Sequence, residues 1–294
     1  MAMDAIKIAV LMTCYNRRDT TLACLKKLMN QDGIQEVKLQ VYLVDAGSTD
    51  GTAGAIEDQY PDIHLIRRDN TLFWCSGMRV AFEEAMKGDH HYFLWLNDDT
   101  MLFQNAIRTS LDTAYQIRRQ EGKLGIIVGS IQDPKTGQCN YGGFMPKSKW
   151  RPLVYRLLEP CGKPQQCITM NGNCVLIARE VVESIGNLSP DFTHFIGDYD
   201  YGLRASAKGI GIWIAPVYIG QCSRNPLPLW VDPEVALRKR LAILHSPKGL
   251  PPREWFIFVR RRAGIYWPVY MLTLYMRVLF PRYWRLLRKY THRE

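Results

Sequence analysis

The 294-residue chain has eight cysteines but no C-x-x-C pair, so its cysteine pattern fits neither a zinc ribbon nor a disulfide framework. Several of the eight fall in apolar stretches, which points to reduced, buried thiols and a cytoplasmic setting. No internal repeat or low-complexity tract is present, and this excludes solenoid and linker-rich organisations. The chain enters an apolar strand pattern almost at once, without the pattern of a signal peptide. In the C-terminal region the longest uncharged run, Ala263 to Met276, is 14 residues and contains Gly264 and Pro268. A bilayer span needs about 20 apolar residues, so an ordinary transmembrane helix is not expected there. The turn after the first strand, Thr13 to Arg17, has no glycine, which argues against a Gly-rich phosphate loop.

What the chain does have is an apolar strand that stops at two adjacent carboxylates: Tyr92-Phe93-Leu94-Trp95-Leu96-Asn97-Asp98-Asp99-Thr100. Carboxylates held at the edge of a sheet suit a divalent cation shared with phosphate oxygens, because Mg²⁺ and Mn²⁺ prefer oxygen and need few protein ligands. The competing reading is an Asx-type cap on the helix that begins near Gln104. The upstream pattern favours a site. Ile6 to Met12, Val41 to Val44 and Ile63 to Ile66 read as strands, with helical patterns after the first (Leu22, Leu25, Leu28, Met29) and after the third (Met78 to Met86). Strands alternating with helices predict a mainly parallel sheet whose ligands lie beyond the carboxyl ends of the strands. The polar clusters Thr13 to Arg17, Asp45 to Asp50 and Asn97 to Asp99 all fall at such ends.

These clusters also carry a resemblance. Thr-Cys-Tyr-Asn-Arg from Thr13, Val-Asp-Ala-Gly-Ser-Thr-Asp-Gly-Thr from Val44, Leu-Asn-Asp-Asp-Thr from Leu96, Asn171 to Ile177 and Phe195 to Arg204 resemble, in order, the motifs of inverting family 2 glycosyltransferases of the GT-A fold. The stretches Trp74 to Met78 and Ser246 to Pro251 are most similar to bacterial rhamnosyltransferases of cell-surface polysaccharide synthesis. The resemblance implies an α/β fold, a GT-A type, Rossmann-like, mainly parallel sheet flanked by helices, followed by a C-terminal helical extension. It implies a metal-dependent transfer from a nucleoside-diphosphate sugar, dTDP-rhamnose or a UDP-sugar, to a hydroxyl of a saccharide or lipid-linked acceptor.

Residue by residue, it places Asp45 on the imide N–H of a uracil or thymine ring, a donor that an acceptor-only carboxylate reads well. Thr13, Tyr15 and Asn16 would wall that subsite, with Arg17 supplying charge. Asp99 would hold the cation, Mg or Mn, across the diphosphate. Asn97 and Asp98 would bond ribose or sugar hydroxyls, and Gly77 and Arg79 are expected beside the donor. Relatives often carry Asp where Asn97 stands and Glu where Gly197 stands, and many have a His after the Trp213 to Val217 strand, where this chain has none. Asp198 is the candidate base, since inversion needs a proton acceptor on the sugar face opposite the leaving group. An N-cap role competes with it, because a helix N-terminus would hold its pKa down. Asp200 is expected to pair with Arg204 at i,i+4 and Asp50 to cap the helix from Thr52. Trp74, Asn171 and His194 are placed on the acceptor side, although a lone His is more often structural.

The charge is lopsided. From Arg253 onward, ten Lys or Arg against two acids make 10 − 2 = +8 of the whole-chain +10, interleaved with aromatics from Trp255 to Trp284. This suits helices lying on an anionic membrane surface; packing on the catalytic domain or on a second subunit, as in a homodimer, is the other reading. The expected division is residues 1–230 as the catalytic domain and 231–294 as the helical, membrane-associating region, peripheral on the inner face of the cytoplasmic membrane. The loop 133–149 is expected to be flexible. Two further functional classes, a sugar-nucleotide pyrophosphorylase and a non-catalytic membrane- or nucleic-acid-binding protein, fit less well. The first lacks its glycine loop, and an acid-lined cleft disfavours nucleic acid.

Overall fold

The computed structural model describes residues 5–148 and 150–284. The first half alternates as expected: β1 (Ile6–Cys14), α1 (Arg18–Met29), β2 (Val37–Asp45), α2 (Thr52–Gln59), β3 (His64–Arg67), α3 (Trp74–Ala85) and β4 (Tyr92–Leu96). A short β5 (Met101–Leu102) and α4 (Ala106–Glu121) lead to β6 (Ile126–Gln132). Short strands β7 (Cys139–Tyr141), β8 (Gly143–Pro146), β9 (Tyr155–Leu157), β10 (Gln165–Cys167) and β11 (Thr169–Met170) precede β12 (Cys174–Ala178). The chain continues through α5 (Arg179–Ile185), α6 (Gly197–Ala207), β13 (Ile212–Gln221), α7 (Leu237–His245), α8 (Pro252–Arg262) and α9 (Trp267–Leu279).

The main sheet runs β10-β13-β6-β12-β4-β1-β2-β3, with β5 on β13 and β7 on β6. β1 pairs in parallel with both β2 and β4, and β2 with β3. β13 pairs in parallel with β6, and β12 runs antiparallel to β4 and β6, so the sheet is mixed but mostly parallel, as the pattern predicted. From β1 the chain turns one way to β2 and β3 and returns to the other side as β4. The carboxyl ends of β1 and β4 therefore flank a topological switch point, the place where open α/β sheets bind ligands.

β4 is buried along its whole length, as the apolar run Tyr-Phe-Leu-Trp-Leu requires of a strand covered on both faces. Trp95 packs on Tyr201 of α6 at 4.9 Å between ring centroids and on Phe82 of α3 at 6.1 Å. One core thus joins the sheet to the helix that carries Asp198. The segment expected to be a flexible loop, 133–149, instead forms β7 and β8; β8 pairs with β9 and β11 in a second, three-stranded sheet. Strands of three or four residues are too short to show a period-2 pattern, which is why they escape sequence reading.

The main core continues past residue 230. Phe258, Val259 and Ala263, at and just after the end of α8, are buried in the main core. Trp230, Leu244, Leu274 and Val278 form a smaller cluster under α7 and α9. Packing of the tail on the catalytic domain, the other reading of its aromatics, accounts for some of them only: Trp255, Trp267 and Tyr270 pack against the main core, whereas Phe280 and Tyr283 are exposed.

Candidate active site

Side chains from three strand ends meet at the switch point. At the end of β1, Arg17 Nη1 donates to Asp98 Oδ1 at 3.2 Å and to Asp99 Oδ2 at 2.8 Å, bridging the two carboxylates that follow β4. Asp98 is buried, and its second oxygen accepts from Thr21 at 3.4 Å. Burial first, and then the neighbouring charge of Asp99, push its carboxyl up to about 6 against the opposing pull of Arg17. Asp98 is thus enclosed between Arg17 and Thr21. Asp99 Oδ1 is also buried, but accepts from no nitrogen or oxygen donor. Its neighbour is the Cys222 thiol, which burial and the Asp99 charge push up to about 12. Cys222 occupies the segment where relatives have a His, and a thiol is a soft ligand, poorly matched to Mg²⁺.

Among the described residues no group of three His, Cys, Asp or Glu side chains could close a metal site. A buried carboxylate oxygen with, among the described residues, only a thiol for a neighbour does fit a divalent cation that takes its remaining ligands from phosphate and water. The residues present thus fit a cation held by Asp99 alone.

Asp45 ends β2 beside Cys14, its register partner in β1. Its Oδ1 accepts from the Ser48 backbone N–H at 3.1 Å and from the Ser48 hydroxyl. Asp45 thus closes the turn before Ser48, through Oδ1. Asn16 adopts φ +50°, a region Asn tolerates, and its Oδ1 accepts from Thr49 N–H at 2.7 Å, which latches two loops together. Asp50 caps two helices at once, accepting from Arg18 N–H at 3.0 Å and from Thr52. Tyr15 is exposed beside these loops.

Gly77 is buried, and a Cβ there would lie 2.5 Å from Thr13 Oγ1, so the glycine lets α3 approach the end of β1. Arg79 lies farther along α3, where its carbonyl accepts from Asn187 Nδ2 and its charge acts on the Cys75 thiol. Among the described residues, the buried Nη1 of Arg79 has no hydrogen-bond partner.

Trp74 connects the two halves of the site. Its indole N–H donates to Asn97 Oδ1 at 2.6 Å, and its six-membered ring closes on Gly172, where a Cβ would lie 2.4 Å from Cζ2. Gly172 N–H in turn donates to Asp198 Oδ2 at 2.9 Å. Asn97 is thus tied to Trp74, leaving its amide nitrogen for a ligand. Asn171, beside Gly172, bonds the Tyr199 hydroxyl. His194 Nδ1 accepts from Trp74 N–H at 3.2 Å, capping α3, and burial lowers its pKa to about 4. A neutral imidazole with one nitrogen engaged keeps only Nε2 for an acceptor.

Asp198 is in the first turn of α6 without being its N-cap, a position held by Ile196 at φ +73°. A β-branched residue in that region is strained by roughly 1–3 kcal/mol, a feature that clusters at functional sites. The Asp198 carboxylate accepts from Gly172 and, at 2.8 Å, from Tyr199 N–H. Both bonds favour the anion, as the capping reading required, but burial outweighs them and its pKa rises to about 6. Asp200 behaves as expected: it is fully buried, and accepts from Arg204 at 3.0 Å and, unforeseen, from Arg262 of α8 at 2.9 Å.

Gly197, where relatives carry Glu, packs so closely that a Cβ would lie 2.2 Å from Cys75 Sγ. Gly197→Ala should destabilise the fold by about 1–3 kcal/mol in urea unfolding, as overpacking does. Adding Cys75→Ala should recover most of the loss; no recovery would mean that the contact is not the cause.

Residues 9–186 match the sequence model of the family described as glycosyl transferase family 2. The chain belongs to that family. Among curated proteins it is similar to the N-acetylglucosaminyl-diphospho-decaprenol L-rhamnosyltransferase of Mycobacterium tuberculosis, 27% identical over 208 residues, covering 63% of this chain and 65% of that protein. The chain spans just under two thirds of that relative's length. Among solved structures it is similar to S. aureus TarS 1-349 in complex with UDP-GlcNAc, with a TM-score of 0.54, 14% identity, and 85% of this chain and 67% of that chain covered. It is also similar to mannosyltransferase PcManGT from Pyrobaculum calidifontis in complex with GDP-Man and Mn²⁺, with a TM-score of 0.53, 15% identity, and coverages of 97% and 85%. At these identities the solved structures show the GT-A type fold alone.

Proposed function

We propose that this family 2 glycosyltransferase moves a sugar, with inversion, from a nucleoside-diphosphate donor to a hydroxyl of a saccharide carried on a lipid diphosphate. What supports this reading above all is the linked arrangement at the switch point: Asp99 and Asp98 joined by Arg17 on one side, and Asn97, Trp74, Gly172 and Asp198 connected in series on the other. The donor base is assigned to Asp45 and Tyr15, and the diphosphate to Arg17 and Asp99. A divalent cation on Asp99 would neutralise charge on the departing diphosphate. Asp198 takes the proton from the acceptor hydroxyl; the oxygen attacks the anomeric carbon as the bond to the diphosphate breaks, and the nucleotide leaves. Trp74 and the free edge of His194 are assigned to the acceptor, with Asn171 holding the Tyr199 side of its pocket.

The M. tuberculosis relative is named for transfer of L-rhamnose to a lipid-linked N-acetylglucosaminyl diphosphate. On that likeness the donor is dTDP-rhamnose or a UDP-sugar, and the protein works peripherally at the inner face of the cytoplasmic membrane. Asp99→Ala should abolish the Mn²⁺-dependent part of UDP or dTDP binding in titration calorimetry. Full Mn²⁺-dependent affinity in that variant would remove Asp99 from the role.

A further inference from the structure

The outer face of α9 carries apolar residues where a water-facing helix would carry charges. Val269, Leu272, Met276 and Leu279 follow one another at spacings of three and four, which sets them along one side of the helix. All are exposed, Leu272 by 64% and Val269 by 56%, and the stripe is extended by Ile265 before the helix, 86% exposed, and Tyr283 after it, 61% exposed. The opposite side is fully used, with Leu274 and Val278 buried in the smaller cluster and Met271 against the main core. An exposed apolar band of this length on a folded chain marks an interaction surface.

We propose that this face of α9 is the surface by which the protein lies on an anionic bilayer, with the helix parallel to the membrane plane. A second copy of the chain is a weaker occupant: a helix pairing through such a seam is flanked by charged positions that set partner and register. The only charged residue within α9 is Arg277, which stacks on Trp284, and the flanks of the stripe are Pro268, Tyr275 and Phe280. The charged residues at the two ends of the band are cations, although Arg282 also pairs with Glu234 at 3.3 Å. Arg260, over the Trp267 ring at the start of α9, and Arg282, just past its end, are exposed at the two ends of the band. The sequence then continues with Arg285, Arg288, Lys289 and Arg293. An apolar face bracketed by cations is the pattern of an interfacial helix drawn to anionic headgroups. Among the described residues no helix is long and apolar enough to cross a membrane, and α9, at about 20 Å, could not reach across about 30 Å of hydrocarbon.

Flotation of the full chain with vesicles tests this independently of catalysis. The wild type should float with phosphatidylethanolamine vesicles containing phosphatidylglycerol and stay largely free with phosphatidylcholine. Leu272→Glu combined with Leu279→Glu should lower the partition coefficient on the anionic vesicles by about a hundredfold, about tenfold for each inserted leucine lost. Both side chains are exposed, so the melting temperature should not change. Arg260→Gln with Arg282→Gln should weaken binding to the anionic vesicles alone, as rising salt should. Undiminished flotation of the double Glu variant would overturn the proposal. So would a wild type that ignores anionic vesicles but is dimeric in light scattering and becomes monomeric in the double Glu variant, since the occupant would then be a second copy.

Discussion

Asp198→Asn should lower the rate of sugar transfer by about 10²- to 10⁴-fold, the contribution of a well-placed general base, and leave nucleotide affinity unchanged. The amide keeps the size of the side chain and removes only the proton acceptor. The wild-type rate constant should also carry an acid limb. Burial raises the Asp198 carboxyl to about 6, so the base is ionised above that pH and turnover falls as pH drops through it. Asp98 is raised to a similar value beside Arg17, so its protonation should appear in donor affinity, on kcat/KM, as well. For stability the sign is reversed. A carboxyl whose folded pKa lies above its unfolded value favours the folded state most at pH below about 4, and that contribution is lost as pH rises through about 6. Unchanged turnover of Asp198→Asn in a donor and acceptor assay would remove Asp198 as the base.

Asp200→Ala should destabilise the protein by about 3–5 kcal/mol, the cost of leaving a buried charge cluster without one of its signs. Asp200 is fully buried and lies between Arg204 and Arg262, whose side chains are only 26% and 17% exposed. Its removal leaves two guanidinium groups facing each other with no anion between them. Because Arg262 belongs to α8 and Asp200 to the helix that carries Asp198, the change should also reduce transfer. By the same contact, cutting the chain before Arg253 would disturb the catalytic helix along with any membrane contact, so point variants on α9 separate the two effects where truncation would not. Arg262→Ala should cost less, because Arg204 remains on Asp200. An Asp200→Ala urea midpoint equal to that of the wild type would show that this cluster does not anchor α6.

The parts of this arrangement that follow from local pattern were legible in the sequence. β4 could be read because five consecutive apolar residues stop at polar ones. The pairing of Asp200 with Arg204 could be read because residues four apart share a helix face. The polar ends of β1 and β2 could be read because ligands collect at strand ends in such sheets. What escaped depends on contacts distant in the chain. Nothing near Arg262 signals that it reaches Asp200, 62 residues away, or that Cys222 comes to rest beside Asp99. Asn16, Gly77 and His194 sit in the right segments, but their polar atoms or close contacts are taken up by Thr49, Thr13 and Trp74, partners that only the folded chain supplies. The pKa of Asp198 went against its position at a helix start because burial, which sequence does not reveal, exceeded the two N–H bonds.

The most direct test of the shared site is a crystal structure with UDP or dTDP and Mn²⁺, with manganese located by its anomalous signal. The account predicts a manganese peak on Asp99, the pyrimidine ring on Asp45, and the terminal phosphate directed toward the Trp74 and Asp198 side of the switch point. A nucleotide bound away from the ends of β1 and β4, or manganese away from Asp99, would contradict it.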